Sequence, residues 1–281
     1  MRYELLFVGA GLALVSSPVF GQESVPFVPS STSGVTQVGA AQASDAQVKP
    51  RTVVVEMFLS QACKKSPPAA KVLSKISASQ NVVALAWHVD YWNDMPSSEG
   101  GWVDPFSAGA YSARQKVYNK HIRNRSTVFT PQAVIDGKVS VIGSSEGRVR
   151  KRIEQAAETP IEAKRPSMEL VRRQDDNPKI IRVRVNFDQG AYDVNVIDFR
   201  PVSKTEIFAG DNAGHMFEEV NVVSGIRQLA ADGFGEREVA FSMPDEGLGC
   251  AVIIQQPDQG AILDAAYCDS ARVEPVLQAA Q

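Results

Sequence analysis

The chain has 281 residues, with 44% hydrophobic residues, 22% charged residues and a formal net charge of -3 at pH 7. This length and composition are typical of a globular protein with a substantial apolar core. Because the charges are nearly balanced and no strongly basic stripe occurs, the sequence offers no electrostatic footprint for nucleic acid or an anionic membrane surface. Those two classes of partner are therefore not expected.

The N-terminus has the features of a secretory signal peptide. Arg2 precedes an apolar run at 5–15 that is too short to cross a bilayer, and residues 19–21 resemble a small-residue cleavage site. No later segment reaches the about 18 uninterrupted apolar residues that a membrane-spanning helix requires. We therefore expect a signal peptide at 1–21 and a mature protein that is periplasmic or secreted.

Residues 22–50 are predicted to form a disordered tether. They are rich in Ser, Ala, Gly, Gln and Pro, contain few large apolar residues and show no sustained hydrophobic period. Such a segment buries too little surface to offset the entropy that it would lose on ordering.

Apolar runs and helical spacing predict a β-α-β unit at the start of the ordered chain. Residues 53–58 form a nearly continuous apolar run, which is typical of a strand buried on both faces. The segment 66–76 has apolar residues at helical spacing, and 81–92 is a second β-rich run. Two strands joined by a helix indicate a parallel sheet covered by helices.

The same predicted α/β domain, which we place at 51–164, continues with a helix at 105–122. Asp136 and Gly137 lie between two apolar runs and predict a hairpin with a two-residue turn. An amphipathic pattern at 146–158 then predicts the helix that closes the domain.

Beyond Pro160 the pattern changes to short, strictly alternating segments such as "KIIRVRVNF", separated by turn residues. Alternating strands without intervening helices indicate an antiparallel arrangement of two packed sheets. We therefore predict an all-β antiparallel sandwich as a second domain at 165–281.

Several longer motifs together resemble one known family. They are the first strand with "SQACKKSPPA", then "HVDYWND", "GWVDPF" with Arg114, Gln115 and Tyr118 after it, "TPQAVIDGK" and "GDNAG". Over essentially the whole mature chain, the sequence resembles the secreted bacterial thioredoxin-like proteins catalogued as domain of unknown function 1223. The resemblance implies a thioredoxin-like fold for the α/β domain. Where that family usually has Cys-x-x-Cys before two prolines, this chain has Cys63 and Ser66.

Cys63 is the candidate nucleophile. It precedes the predicted helix, whose unpaired N–H groups and positive dipole end favour a thiolate over a thiol. Lys64 and Lys65 add positive charge, and Ser66, expected in an exposed first turn, can donate a hydrogen bond to the sulfur. The alternative is that Cys63 is a small buried hydrophobic residue, as free cysteines often are.

Pro131 is a second candidate, and it follows Thr130 at the start of an apolar run. Thioredoxin-like folds place a cis-proline opposite the active cysteine, where the preceding backbone can pair with a bound substrate, and the resemblance implies that Pro131 is this residue. The residues alone also allow an ordinary trans-proline at a strand start.

Glu56 is a third candidate because it interrupts the apolar first strand. Thioredoxins commonly bury a carboxylate in the corresponding strand, where it accepts a proton during exchange. The alternative is a glutamate at a strand end that reaches water or pairs with a lysine.

His88 and Asp90 lie two residues apart in a β-rich run and so are expected on one face of a strand. A metal site needs three or four ligands, and the chain has only three histidines and three cysteines. That count favours a hydrogen-bonded pair at the edge of the sheet over a copper or zinc site. No P-loop, dinucleotide fingerprint or nucleophile elbow occurs, so no cofactor is predicted.

The two remaining cysteines are predicted to form a disulfide. Cys250 and Cys268 flank a hairpin with a turn at 257–260, and counting outward from the turn places them opposite each other or within one residue of it. Cys63 would then be the one unpaired thiol.

The sequence therefore favours an exported protein that carries out thiol-disulfide exchange, with a candidate site formed by Cys63, Ser66, Pro131 and Glu56. The expected partners are exported protein thiols or disulfides and glutathione, because a single cysteine cannot release a mixed disulfide by itself. The competing hypothesis is a redox-silent binding or assembly module on a thioredoxin scaffold. A third hypothesis is a metal carrier that uses Cys63 and His88.

Overall fold

A computed structural model describes six segments of the chain: 51–95, 101–159, 166–174, 177–187, 192–229 and 235–274. The predicted signal peptide and tether lie outside the described residues.

The first half contains the predicted β-α-β unit. β1 (Val53–Leu59), α1 (Ser66–Ser77) and β2 (Val82–His88) follow one another, and the two strands pair in parallel. Pro67 and Pro68 stand in the first turn of α1, where their missing N–H groups need no intrahelical partner. Both strands are buried on both faces, as their apolar runs predict.

The first half is completed by α2 (Gly109–Arg123), β3 (Gln132–Ile135), β4 (Val139–Ile142) and α3 (Glu146–Glu158). β3 pairs antiparallel with both β1 and β4. The turn residues Asp136 and Gly137 have positive φ angles of 48° and 66°, as a two-residue primed turn requires. The predicted hairpin and closing helix are therefore confirmed.

The second half consists of β5 (Ser167–Arg173), β6 (Ile180–Phe187), β7 (Asp193–Glu206), β8 (Met216–Leu229), β9 (Gly235–Ser242), β10 (Gly249–Gln255), β11 (Ile262–Tyr267) and β12 (Arg272–Glu274). Within the described segments the strands form two sheets. The order is β11-β10-β7-β8-β2-β1-β3-β4 in the larger sheet and β12-β5-β6-β9 in the smaller one.

The predicted fold class, a thioredoxin-like domain followed by a separate sandwich, is wrong. Four strands from the second half join the four strands of the first half in one eight-stranded sheet, so the sheet crosses the boundary expected at residue 165. The junction is a parallel contact of β2 with β8, at Ala86 and Val222. Side chains strengthen it, because Tyr267 Oη accepts from Ala84 N at 2.9 Å and Asn221 Nδ2 donates to Ala84 O at 2.9 Å.

Three apolar cores hold these layers together. The first lies between the large sheet and the helices α1 and α3, the second lies on the opposite face under α2, and the third lies between the two sheets. Successive side chains of β1 alternate between the first two cores, so Val55 and Met57 face one and Val54 and Phe58 face the other. Full burial of such a side chain contributes about 1.5–3 kcal/mol.

Candidate functional site around Cys63

Cys63 lies in the short turn between β1 and α1. Two backbone hydrogen bonds close this turn, from Cys63 N to Ser60 O at 3.1 Å and from Ser66 N to Cys63 O at 2.9 Å. Cys63 is a free cysteine and is only 2% exposed. Its position directly ahead of a helix fits the nucleophile hypothesis, whereas its burial fits the alternative of a small hydrophobic residue.

The thiol faces the loop that leads into β3. The Thr130-Pro131 peptide bond is cis, as the resemblance implied, and Cys63 Sγ lies 3.9 Å from Thr130 O. Trp92 Nε1 donates to Thr130 Oγ1 at 2.7 Å and so fixes the side chain beside that carbonyl. The structure thus brings two of the candidate residues, Cys63 and Pro131, to one place.

Ser66 is fully buried, so the expectation that it stands in an exposed first turn is wrong. Its Oγ accepts a hydrogen bond from Ser60 N at 3.2 Å, which ties the start of α1 to the end of β1. Ala69 and Ala70 are buried on the same face because the first turns of α1 pack against the sheet. Lys64 and Lys65, in contrast, are exposed.

A loop from the second half of the chain holds the Cys63 turn. The loop joins β7 to β8 and contains a short 3-10 turn, Gly210–Asn212. Asn212 is buried, and its Nδ2 donates to Gln61 O at 2.7 Å and to Cys63 O at 3.1 Å. Gln61 Nε2 in turn donates to Glu219 Oε2 on β8 at 3.0 Å. Residues far apart in the sequence therefore fix the position of the cysteine turn.

His88, the last residue of β2, is buried between two carboxylates. Its Nδ1 lies 2.7 Å from Asp104 Oδ2 and its Nε2 lies 3.0 Å from Glu219 Oε1. The predicted pairing of His88 with Asp90 is wrong, because Asp90 lies beyond the end of β2 and accepts a hydrogen bond from Ser112 Oγ at 2.5 Å. The pair is also not at a sheet edge, since β2 lies between β1 and β8.

The neighbours of the buried His88 imidazole determine its charge. Burial disfavours a charged imidazole, but the negative charges of Glu219 and Asp104 outweigh that cost and raise the pKa of His88 from 6.5 to about 10. Burial would raise the pKa of Asp104, yet His88 and the backbone N–H groups of Gln61 and Phe106 lower it. A raised pKa favours the imidazolium form at neutral pH, so a metal ion would have to displace a proton to bind the ring.

Both ring nitrogens of His88 face carboxylates, so neither of them is directed at Cys63, the other ligand of the metal-carrier hypothesis. In the part of the chain that the structure describes, no group of three or more His, Cys, Asp or Glu side chains is arranged to hold a metal ion.

None of the described helices is long and apolar enough to cross a membrane.

Glu56 is buried in the middle of β1 and paired with Arg114 of α2. Arg114 Nε donates to Glu56 Oε1 at 2.7 Å, and Tyr118 Oη donates to Glu56 Oε2 at 2.5 Å. Gln255 of β10 completes the group, since its Oε1 accepts from Arg114 Nη2 at 3.1 Å. The guanidinium also lies 5.1 Å above the Trp87 ring centroid.

The alternative that Glu56 is a glutamate at a strand end that reaches water is therefore wrong. The burial of Glu56 agrees with the hypothesis of a buried carboxylate that accepts a proton during exchange. Arg114 and Glu56 form a buried, hydrogen-bonded ion pair. The contacts of Glu56, Arg114 and Gln255 join β1, α2 and β10. The role of Glu56 as a proton acceptor stays a prediction.

The predicted disulfide is confirmed. Cys250 and Cys268 are bonded, with their Cα atoms 5.4 Å apart. The next residues inward, Ala251 and Tyr267, are partners in the β10–β11 ladder, which is why counting from the turn located the bond.

Sequence reasoning missed most of the residues that position the cysteine turn, namely Gln61, Asp104, Asn212 and Glu219. Three of them occur inside motifs that the resemblance had singled out, because Gln61 belongs to "SQACKKSPPA", Asp104 to "GWVDPF" and Asn212 to "GDNAG". The signal that the sequence offered was a polar residue within such a motif; its burial became visible only in the structure.

Fold and site together define a mainly β protein, built on two sheets with helices against the larger one, whose unpaired, buried cysteine faces a cis-proline loop. The model of the family described as "Protein of unknown function (DUF1223)" matches residues 54–255, and the chain belongs to this family. No match was found among curated proteins.

Two solved structures are similar to the chain. A protein from Agrobacterium tumefaciens is 22% identical with a TM-score of 0.64, and the match covers 80% of this chain and 98% of that chain. This likeness supports a shared fold. A domain of the outer membrane lipoprotein Omp28 from Porphyromonas gingivalis matches with 10% identity and a TM-score of 0.19, over 41% of this chain and 93% of that chain. That weak match supports no conclusion.

Proposed function

We propose that this protein is an exported monothiol protein that takes part in thiol-disulfide exchange through Cys63. The observation that carries the proposal is the position of Cys63 Sγ, 3.9 Å from the carbonyl oxygen of Thr130, the residue before cis-Pro131. Backbone groups at such a loop can pair with an extended substrate as an added strand would. A substrate sulfur held in this way would lie beside the cysteine.

The other two cysteines support the assignment of Cys63 as the reacting thiol. Cys250 and Cys268 are bonded to each other, which leaves Cys63 as the free thiol of the chain. It stands ahead of α1 and beside the exposed Lys64 and Lys65, so positive charge lies next to the sulfur.

The exchange is a pair of nucleophilic displacements. The Cys63 thiol first gives its proton to water, and the thiolate then attacks one sulfur of a substrate disulfide. A bond forms between Cys63 and that sulfur, and the second substrate sulfur leaves as a thiolate. An external thiolate, from glutathione or from a partner protein, then attacks the mixed disulfide and displaces Cys63. Ser66 carries no thiol, so the second displacement needs that external partner.

A redox-silent binding module is the second candidate, and the burial of Cys63 favours it. A side chain that is 2% exposed offers little surface to an incoming disulfide. Hydrogen bonds from Asn212 also hold the backbone of the cysteine turn in place. In this function the loops around Cys63 would bind a partner without covalent chemistry.

Reaction of the folded protein with glutathione disulfide would distinguish the two functions. We expect intact mass analysis to show one glutathionyl group, located on Cys63 by peptide mapping and lost on addition of dithiothreitol. The variant Cys63→Ser should show none. The matched control is wild-type protein in denaturant, where the exposed thiol must react. Reaction in denaturant but none in the folded state would reject exchange and leave the binding module.

A further inference from the structure

An exposed apolar and basic surface lies beside the cysteine turn, and we call it the rim. Its five residues are Lys64, Lys65, Trp102, Val103 and Phe208. Phe208 is 74% exposed and Val103 is 67% exposed. Trp102 is half-buried, and its ring centroid lies 6.3 Å from that of Phe208. Exposed apolar residues that adjoin one another in this way mark interaction sites more often than scattered ones do.

Hydrogen bonds connect the apolar part of the rim to the Cys63 turn. Trp102 Nε1 donates to Gln61 Oε1 at 3.2 Å. Phe208 follows the fully buried Ile207, and the loop that carries it is closed by Gly214 N donating to Ile207 O at 2.8 Å. Asn212, in the same loop, donates to Cys63 O. Phe208 is therefore displayed at a fixed place relative to the thiol.

The basic part of the rim is formed by Lys64 and Lys65, which follow Cys63 directly in the chain and are exposed. Neither lysine has an acidic partner among the described residues, whereas Lys75 pairs with Glu146 at 2.7 Å and Lys204 pairs with Glu218 at 2.8 Å. Two exposed positive charges beside an apolar patch attract a ligand that carries negative charge next to an apolar group.

We propose that the rim is the docking surface for an extended segment of an exported polypeptide whose cysteine is flanked by a large apolar side chain and an acidic side chain. This inference rests on the proposed exchange at Cys63 and names its substrate class. A polypeptide fits the rim better than glutathione does, because glutathione has carboxylates for the lysines but no apolar side chain for Phe208 and Trp102.

Three short peptides, each a mixed disulfide of its cysteine with thionitrobenzoate, provide the test. The first carries Phe and Asp beside the cysteine, the second has Ser in place of Phe, and the third has Lys in place of Asp. The Cys63 thiolate attacks the peptide sulfur, a peptide–Cys63 disulfide forms, and thionitrobenzoate leaves with the electron pair and is followed by absorbance. We expect the first peptide to react about tenfold faster than either of the others, and faster than the mixed disulfide of glutathione with thionitrobenzoate, which has the same leaving group.

Variants of the rim should remove these preferences one at a time. Phe208→Ser should abolish the preference for Phe over Ser, and Lys64→Glu/Lys65→Glu should reverse the preference for Asp over Lys. Matched controls are Val273→Ser, an apolar residue that is 64% exposed on β12, and Lys179→Glu, an exposed lysine before β6; neither should change the preferences.

The outcomes separate this inference from the proposed function. If folded protein reacts with none of the reagents while denatured protein reacts with all of them, the proposed exchange itself fails. Equal rates for the three peptides, or a faster reaction with the glutathione–thionitrobenzoate disulfide, would leave the exchange standing and overturn the rim as a polypeptide docking surface.

Discussion

Asn212 Nδ2 donates to Gln61 O at 2.7 Å and to Cys63 O at 3.1 Å, so a single side-chain amide holds two carbonyl groups of the cysteine turn. An amide nitrogen has two N–H donors, and this geometry uses both of them. The second half of the chain thus contributes directly to the site that the first half contains.

Replacing Asn212 should loosen that turn. Asn212→Ala leaves two buried carbonyl groups without this donor, and we expect the free energy of unfolding to fall by about 1–3 kcal/mol. We also expect iodoacetamide to alkylate Cys63 faster in the folded variant than in wild type. Asp211→Ala, at the exposed neighbouring position, is the control and should change neither quantity. Unchanged stability and unchanged alkylation in Asn212→Ala would show that the amide does not hold the turn.

The buried pair of Glu56 and Arg114 should contribute far more to stability than a surface pair does. Arg114→Met leaves a carboxylate buried without its cation, which costs about 3–5 kcal/mol in urea or guanidinium unfolding. Arg150→Met breaks a surface pair with Glu146, in which the two side chains are 43% and 34% exposed, and should cost far less. Similar losses in the two variants would contradict the structural role of the buried pair.

Stability should fall as the pH rises through the titration of His88. Its pKa is raised from 6.5 to about 10 in the folded protein, so its contribution is fully present below pH 6.5 and is lost as the pH rises through about 10. His88→Gln should flatten the dependence of the unfolding free energy on pH in that window. NMR titration of the imidazole provides a direct check, since a ring that deprotonates near its unperturbed value would refute the buried ion pair.

Much of the first half could be predicted from local pattern. A run of apolar residues at 53–58 predicts a strand buried on both faces, and Asp136-Gly137 predicts the turn between β3 and β4; both agree with the structure. The arrangement of the second half could not be predicted in this way. Alternation in β6 shows that one face is buried, and the apolar run of β10 shows that the strand is buried, but neither pattern shows which sheet the strand joins.

The site was predictable only where its residues are neighbours in the chain or belong to recognised motifs. Cys63 was found from its place ahead of a helix, and Pro131 from the resemblance. The partners of His88 were not found, because Asp104 lies in a loop and Glu219 lies on β8, and only tertiary packing brings them together. Burial of Ser66 was missed for a related reason, since a first turn is exposed unless another layer covers it.

Removing the disulfide should lower stability without affecting Cys63. The bond closes a loop with a sequence separation of 18, for which the loss of chain entropy in the unfolded state amounts to about 3 kcal/mol. We expect Cys250→Ala/Cys268→Ala to lose roughly that free energy of unfolding, while the rate of glutathionylation of Cys63 stays at the wild-type value. A large change in that rate would indicate that the disulfide acts on the cysteine site.

Ser66→Cys should convert the single-thiol site into one that resolves its own mixed disulfide. Because Ser66 N donates to Cys63 O at 2.9 Å, the two residues are joined by a tight turn, and their Cα atoms lie within about 7 Å, close to the range that a disulfide spans. The new thiolate can therefore attack a disulfide formed at Cys63 and release the substrate.

The wild type should accumulate mixed disulfides with a peptide substrate on quenched non-reducing gels, whereas Ser66→Cys should release the product without added glutathione. The substitution has a stability cost of about 1 kcal/mol, because sulfur is a weaker acceptor than Oγ for Ser60 N. Ser66→Ala is the matched control, since it loses the same hydrogen bond and gains no thiol. Release of product by Ser66→Ala would show that loosening the turn, and not a resolving thiol, ends the covalent complex.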